Sequence, residues 1–355
     1  MKALVLGNGA SGKAASELLR AEGWHVEVAE DFDMVVNSPG IKVRSELQLG
    51  IERLKKCGTR LLAVTGSKGK SSVVKIVTEA INLSGQRAVA CGNYGLAVSA
   101  VEGVVDWAVV EVSSFQLETT YLPPDTFEGA AILNLQEDHL ERHGSLAVYH
   151  AVKKRLFEMS KCGIMGEAAP KSTLFAGSYF DNEVLAPNGN VAVMLMKIAG
   201  VDDAIIEKAF KAFQPLPHRM SLVAVENGVE YVDDSKATSL AALAAGVKMA
   251  GKKAIRLIAG GKSKGDDPKN VKDLLTKRVK KVYLIGSCAG EFFSSWSDEV
   301  ECEICFDMAT AVAKAKQESK AGEIVLLSPG TASYDQYKNF GERGMDFANR
   351  VKKEG

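Results

Sequence analysis

What this chain lacks narrows its function first. It has no net charge, with 44 basic residues balancing 44 acidic ones. No long-range field therefore draws it to nucleic acid or an anionic membrane, and any polyanion must be held by a local site. No apolar run approaches the roughly 18 residues that argue for a membrane span. The six cysteines (57, 91, 162, 288, 302 and 305) are scattered along the chain. Without a signal-peptide pattern, they imply free thiols in a reducing, cytoplasmic setting. Cys302 and Cys305 have the spacing of half a zinc site, yet no second pair accompanies them and they lie in a strand-like alternation. Internal repeats and low-complexity tracts are also absent.

What is present is alternation. Strand-like apolar runs at 3–6, 34–36, 61–64, 104–111, 130–133, 254–259, 281–285 and 323–327 are separated by helical patterns. This is the signature of parallel sheets joined by crossover helices. An α/β fold of three domains is expected: a short Rossmann-like block over 1–59, a central phosphate-loop block over 60–215, and a Rossmann-like block over 216–355. Gly58 marks the first boundary, and the Gln214-Pro215-Leu216-Pro217 punctuation marks the second.

The apolar run Leu61-Leu62-Ala63-Val64 breaks into Thr65-Gly66-Ser67-Lys68-Gly69-Lys70-Ser71-Ser72, followed by a helical pattern. Strand, glycine loop and helix in that order form a phosphate cradle. Gly66 and Gly69 turn backbone N–H groups toward a polyphosphate, Lys70 neutralises its outer charge, and the Ser71 hydroxyl is placed for Mg²⁺. Only the short form G-x-x-G-K-S is present, because Val64 stands where the longer pattern has glycine. ATP is the expected nucleotide.

Four further segments sit at strand ends. Gly7-Asn-Gly9-Ala10-Ser11-Gly12, with Glu30 or Asp31 after the next strand, carries a dinucleotide fingerprint. A block of about 60 residues holds little more than one β-α-β half, however, so a smaller nucleotide fits better. The turn Ser38-Pro39-Gly40 adds N–H groups at a sheet edge, or is an ordinary strand-to-helix turn. Glu111 ends a buried run, where a lone carboxylate is costly unless it meets a cation. The segment Asn134 to His139 repeats that design, so Glu111, Asp138 and His139 are candidates to hold Mg²⁺, or else a helix cap and a satisfied histidine. His143 does not complete a His-Glu-x-x-His zinc motif.

Taken together these residues resemble the Mur ligase family over nearly the whole chain, and most closely its D-glutamate-adding members. The resemblance runs through Gly92-Asn93-Tyr-Gly95, Glu111-Val-Ser113-Ser-Phe-Gln116-Leu-Glu118, Asp138-His139, Tyr149…Lys153-x-Arg155, Pro217-His218-Arg219, Asp234-Ser-Lys236-Ala-Thr238, Lys264-Gly265 and Ser333-Tyr334-Asp-Gln…Asn339-Phe340…Arg343-Gly344. It implies amide formation through an acyl phosphate made from ATP. In that reading Lys70, Glu111, His139, Lys153, Arg219 and Lys236 are catalytic. Gly66, Ser67, Lys68, Gly69, Ser71, Ser72, Asn93, Asn190, Arg219, Asp234 and Lys236 would bind ATP. Ser71 and Glu111 would hold one Mg²⁺, and His139 with a carbamylated Lys153 a second.

By the same resemblance the UDP-sugar would meet Gly9, Ala10, Ser11, Glu30, Ser38, Pro39, Gly40, Asn93, Ser113, Gln116 and His139. The acceptor D-glutamate would meet Thr238, Lys264, Ser333, Tyr334 and Phe340. The partners implied are small molecules, UDP-N-acetylmuramoyl-L-alanine and D-glutamate, with no nucleic acid or membrane and a monomeric protein. The chain departs from the family at Lys68, Gly189, Val193 and Ser239, where asparagine, histidine, asparagine and asparagine are usual, and in its short first block. The alternatives these leave are a related ligase with another acceptor and a nucleotide-binding module whose catalysis has lapsed.

Overall fold

The computed structural model describes residues 1–30, 43–136 and 138–352, which form two compact units. Unit one holds residues 1–181 and 185–213, and unit two residues 182–184 and 214–355. Ser38, Pro39 and Gly40 lie outside the described residues, as does Glu137.

Unit one opens with two parallel strands, β1 (Lys2–Leu6) and β2 (His25–Ala29), joined through the helix Ala10–Ala21. The sheet has only these two strands among the described residues, and Leu4 and Leu6 are exposed. The helix Glu46–Lys56 follows, its first turn capped by Ser45 Oγ, which accepts from Gln48 N–H at 3.1 Å. Its residues Leu47, Ile51 and Leu54 fall on one helical face, and they are buried in the core of the next sheet. The last helix before Gly58 is thus packed with the central fold.

The central sheet comprises β3 (Arg60–Thr65), β4 (Ala88–Gly92), β5 (Trp107–Glu111), β6 (Gly129–Ile132) and β7 (Gly163–Met165), in the order β4-β5-β3-β6-β7 and all parallel. Residues 61–65 of β3 are fully buried, since helices cover both sheet faces. That is why the run reads as continuously apolar rather than alternating. β3 is flanked by β5 and β6, so the loops leaving these three strands emerge side by side at the carboxyl edge, where open α/β folds bind ligands.

Unit two contains β8 (Ser221–Glu226), β9 (Val229–Asp233), β10 (Ile255–Gly260), β11 (Val279–Ile285), β12 (Cys302–Phe306) and β13 (Ile324–Leu327), in the order β12-β11-β10-β13-β9-β8. All neighbours are parallel except β8 and β9. These two form a hairpin through Asn227 and Gly228, whose φ values of 50° and 76° suit the tight turn that matches strand twist. Cys302 and Cys305 lie on β12, and all six cysteines are free.

An ionic cluster supports this sheet. Arg256 is buried, with Nε 2.6 Å from Glu323 and Nη1 3.1 Å from Glu318, while Lys281 lies 2.9 Å from both Glu303 and Glu318. Removing one member of a buried pair strands the other charge, so Arg256→Ala should cost about 3–5 kcal/mol of stability, measurable by denaturant unfolding. Among the described residues, no helix is long and apolar enough to cross a membrane.

Candidate active site

The loop between β3 and the helix Lys70–Leu83 turns on its glycines. Gly66 has φ 147° and Gly69 φ 88°, and a Cβ on Gly69 would lie 2.3 Å from Asn188 Nδ2. Lys70 Nζ folds back over the loop, donating to the carbonyls of Gly66 at 2.8 Å and Ser67 at 3.2 Å. Ser71 and Ser72 occupy the first turn of the helix. Asn134, leaving β6, clamps the loop from the side. Its Oδ1 accepts from Lys68 N–H and its Nδ2 donates to Lys68 O, both at 2.9 Å. The Lys68 side chain itself is exposed. Ser67 Oγ bonds Tyr149 Oη at 2.9 Å and Gln136 O at 2.9 Å.

Glu111 ends β5 and is 2 % exposed. One carboxylate oxygen accepts from Asn93 Nδ2 at 2.8 Å, and Asn93 N–H reaches the Glu111 carbonyl at 2.9 Å. Gly92 permits this approach, because a Cβ there would lie 2.3 Å from that carbonyl. The other oxygen, Oε2, is buried with no hydrogen-bond partner. A buried anionic oxygen left bare is a large desolvation cost unless a cation completes it. The hard oxygens of Glu111 and Ser71 therefore fit Mg²⁺.

Lys153 is also buried, at 2 % exposure, with Nζ 3.1 Å from Gly66 O and 3.3 Å from Thr65 Oγ1. Burial, and then the nearby Lys70 charge, pull its amine down to about 7, with Asp138 and Glu111 opposing. A half-neutral amine is what CO₂ needs to add to, so this site fits a carbamate. His139 adopts φ 53°, and its ring is half-exposed, with Nε2 3.6 Å from Asp138 and Nδ1 3.5 Å from Glu141.

Ser113 and Gln116 form a reciprocal capping box at the start of the helix Ser114–Thr119, with Gln116 N–H to Ser113 Oγ at 3.2 Å and Ser113 N–H to Gln116 Oε1 at 2.9 Å. Asn190 Oδ1 accepts from Ser172 N–H at 2.9 Å. Gly189 faces Phe175, whose ring comes within 3.0 Å of where a Cβ would be. The aromatic ring occupies the space that a histidine at 189 would need. Around the first glycine turn, Asn8, Lys13, Ser16, Arg20 and Glu30 line a cavity of about 220 Å³, and Ser16 Oγ is buried there without a partner. Gly9, Ala10 and Ser11 begin the adjoining helix.

Unit two gathers its own cluster at the carboxyl edge of β9. His218 and Met220 have φ of 61° and 47°, so Arg219 rides on a constrained turn. That turn is tied down three ways. His218 Nδ1 lies 2.6 Å from Asp233 Oδ2, His218 O accepts from Lys236 N–H at 3.0 Å, and Asp234 Oδ1 accepts from Met220 N–H at 3.3 Å. Arg219 Nε is buried without a hydrogen-bond partner. Lys236 Nζ lies 5.2 Å from the centre of the Phe340 ring. Thr238 is half-buried, Ser333 buried, and Lys264 and Tyr334 exposed.

Arg343, which the family resemblance includes without giving it a role, binds this edge together. It is 1 % exposed, and its guanidinium donates to the carbonyls of Ser235 at 2.9 Å, Thr331 at 3.1 Å and Ala332 at 3.2 Å. Burial lowers it to about 10, which leaves it protonated at neutral pH.

Asp234, hydrogen-bonded to Ser328 Oγ at 2.9 Å, is pushed by burial from an ordinary 3.8 up to about 7. Between those values the folded protein holds more protons than the unfolded one, so stability from this group is lost as pH rises toward 7. In melting curves from pH 4 to 8, wild type should lose ground to Asp234→Asn as pH rises. A constant gap would refute the assignment.

Parallel α/β units with a glycine loop after a buried strand and a bare carboxylate at the neighbouring strand end fit the class of nucleotide-dependent phosphoryl- or acyl-activating enzymes. The Mur ligase middle domain matches residues 64–170, and the domain described as "Mur ligase, glutamate ligase domain" matches residues 218–330. A UDP-N-acetylmuramoylalanine–D-glutamate ligase of Dechloromonas aromatica is 30 % identical over 447 aligned positions, covering 99 % of this chain and 98 % of that protein. The chain belongs to the Mur ligase family, and is an ATP-dependent ligase of peptidoglycan synthesis.

Solved structures agree on the fold. The UDP-N-acetylmuramate-alanine ligase MurC of Thermotoga maritima superposes with TM-score 0.65 at 13 % identity, over 99 % of both chains. MurF of the same organism, in complex with ADP, gives 0.64 at 16 % identity, over 99 % of this chain and 95 % of that one.

Proposed function

We propose that this ligase joins D-glutamate to UDP-N-acetylmuramoyl-L-alanine. The observation that carries the activation half is the bare, buried Glu111 Oε2 at the strand end beside the phosphate loop. Support for the acceptor comes from relatives near 30 % identity that bear this name.

The reaction needs a triphosphate, a nucleotide sugar carboxylate and a dicarboxylate to converge, and their repulsion must be offset before in-line attack. Lys70 and the N–H groups of residues 66–72 receive the β- and γ-phosphates. Within unit two, Arg219, held by the His218–Asp233 pair, and Lys236 supply positive charge for an anionic substrate group. The substrate carboxylate attacks the γ-phosphorus, forming an acyl phosphate and releasing ADP. The amine of the acceptor then adds to the acyl carbon, and phosphate departs.

Two Mg²⁺ ions, when bound, neutralise charge on the triphosphate and on the acyl phosphate. Ser71 and Glu111 would hold one, and His139 with carbamylated Lys153 the other. Thr238, Lys264, Ser333, Tyr334 and Phe340 form the acceptor side, with Lys264 as partner for the distal carboxylate. Gly9, Ala10, Ser11 and Glu30 receive the UDP-sugar.

The test is phosphate release with ATP, Mg²⁺ and UDP-N-acetylmuramoyl-L-alanine while the amino acid is varied. Turnover confined to D-glutamate is expected. Turnover with another amino acid instead would reassign the acceptor, and none with any acceptor would refute the ligase reaction.

A further inference from the structure

An imidazole that the reaction does not use lies between the elements carrying Glu111 and His139. His143 closes the short helix Leu140–His143, and its side chain is 1 % exposed. Nε2 lies 3.0 Å from Ser114 Oγ, and Nδ1 lies 3.0 Å from Glu118 Oε1. The other Glu118 oxygen accepts from Arg142 at 2.6 Å. Nδ1 is not in hydrogen-bonding geometry with Glu118 Oε1, so the three side chains are adjacent without completing a serine–histidine–carboxylate relay. Ser114 is also 2 % exposed, so no acyl group reaches its hydroxyl.

Closed to solvent, the Ser114–His143 hydrogen bond, with Glu118 packed beside the ring, acts as a fastener. It joins the helix Ser114–Thr119, which starts three residues after Glu111, to the turn of His139. The N–H groups of Arg142 and His143 both donate to His139 O at 3.1 Å, so the anchored end of the helix fixes the left-handed backbone of His139. A non-glycine residue in that region persists only where its surroundings over-determine it. On its other side the His143 ring lies 5.3 Å from that of Tyr149, which bonds Ser67 of the phosphate loop and lies 4.7 Å from Lys153 Nζ.

The geometry points to His143 as a positioning residue that fixes the spacing of Glu111, His139 and Lys153 for divalent-cation binding, which rests on the metal-assisted ligase proposed above. Outer-shell partners of this kind set ligand direction without touching the ion.

The test measures Mn²⁺ binding to the full chain by electron paramagnetic resonance, with a non-hydrolysable ATP analogue present. His143→Leu removes both polar contacts at similar bulk and should weaken Mn²⁺ about 10–100-fold, the range typical of outer-shell changes. His143→Gln keeps a polar group toward Ser114 and should recover much of that loss. Thermal melts of both variants run in parallel. Unchanged Mn²⁺ affinity in His143→Leu overturns the inference. So does a loss that His143→Gln shares in full, in step with a lowered melting temperature. Wild-type protein that binds Mn²⁺ and nucleotide but turns over no acceptor would instead overturn the ligase reaction while leaving the positioning role intact.

Discussion

Lys70→Ala should lose at least ~10²–10³-fold in phosphate release, the loss typical when one preorganised charge on a reacting group is removed. The lysine reaches the carbonyls of Gly66 and Ser67 from the first residue of its helix, while both loop glycines hold left-handed backbone independently of it. The loop should therefore survive the substitution, and the melting temperature should shift by no more than a few degrees. Lys70→Arg should recover little, because a planar fork cannot occupy the place of a compact ammonium between two carbonyls. A coupled phosphate assay beside a thermal melt checks both statements. Near-normal turnover in Lys70→Ala would remove the phosphate-binding role.

The second large effect is at Lys153. Lys153→Ala should lose activity and partly regain it with added formate or acetate, which bring the anionic oxygens that the proposed carbamate would supply. Full activity without rescue would exclude that role. At an ordinary lysine value, only about one amine in three thousand is neutral at pH 7. With the amine pulled down to about 7, about half are, so CO₂ adds readily near neutrality. In CO₂-limited buffer, wild-type activity should rise with pH from 6 to 8. A separate consequence follows for stability. Between about 7 and its unfolded value of 10.5, the folded protein binds fewer protons at this lysine than the unfolded chain. Wild-type stability therefore climbs with pH across that window, and Lys153→Ala should lack the climb.

The phosphate loop was legible in the sequence because its spacing is its geometry. Gly66 and Gly69 both adopt positive φ, and the apolar run before them is the strand buried on both faces. The strands at 254–259, 281–285 and 323–327 were legible for the same reason, and they appear as β10, β11 and β13. The β8–β9 hairpin is less legible: Asn227-Gly228 is a strong turn signal, but the half-exposed β8 lacks the continuous apolar run that marks the buried parallel strands. Helix Glu46–Lys56 precedes Gly58 in the chain, and its apolar face packs into the central core.

Other features depend on residues far apart in the chain. Asn134 clamps Lys68 across 66 positions, Tyr149 meets Ser67 across 82, and Arg343 meets Ser235 across 108. No local pattern encodes such pairs. The same holds for Gly189, a departure at the sequence level whose reason is the Phe175 ring.

Arg343 has a consequence for biosynthesis. Its guanidinium ties Ser235 to Thr331 and Ala332 from the helix Phe340–Lys352, the last among the described residues. On the ribosome, the β3–β7 sheet and its phosphate loop can form while the chain is still emerging. On the proposed assignment, the acceptor side must wait until residue 343 has left the exit tunnel, so a stalled nascent chain would carry a formed phosphate loop without the means to receive an amino acid.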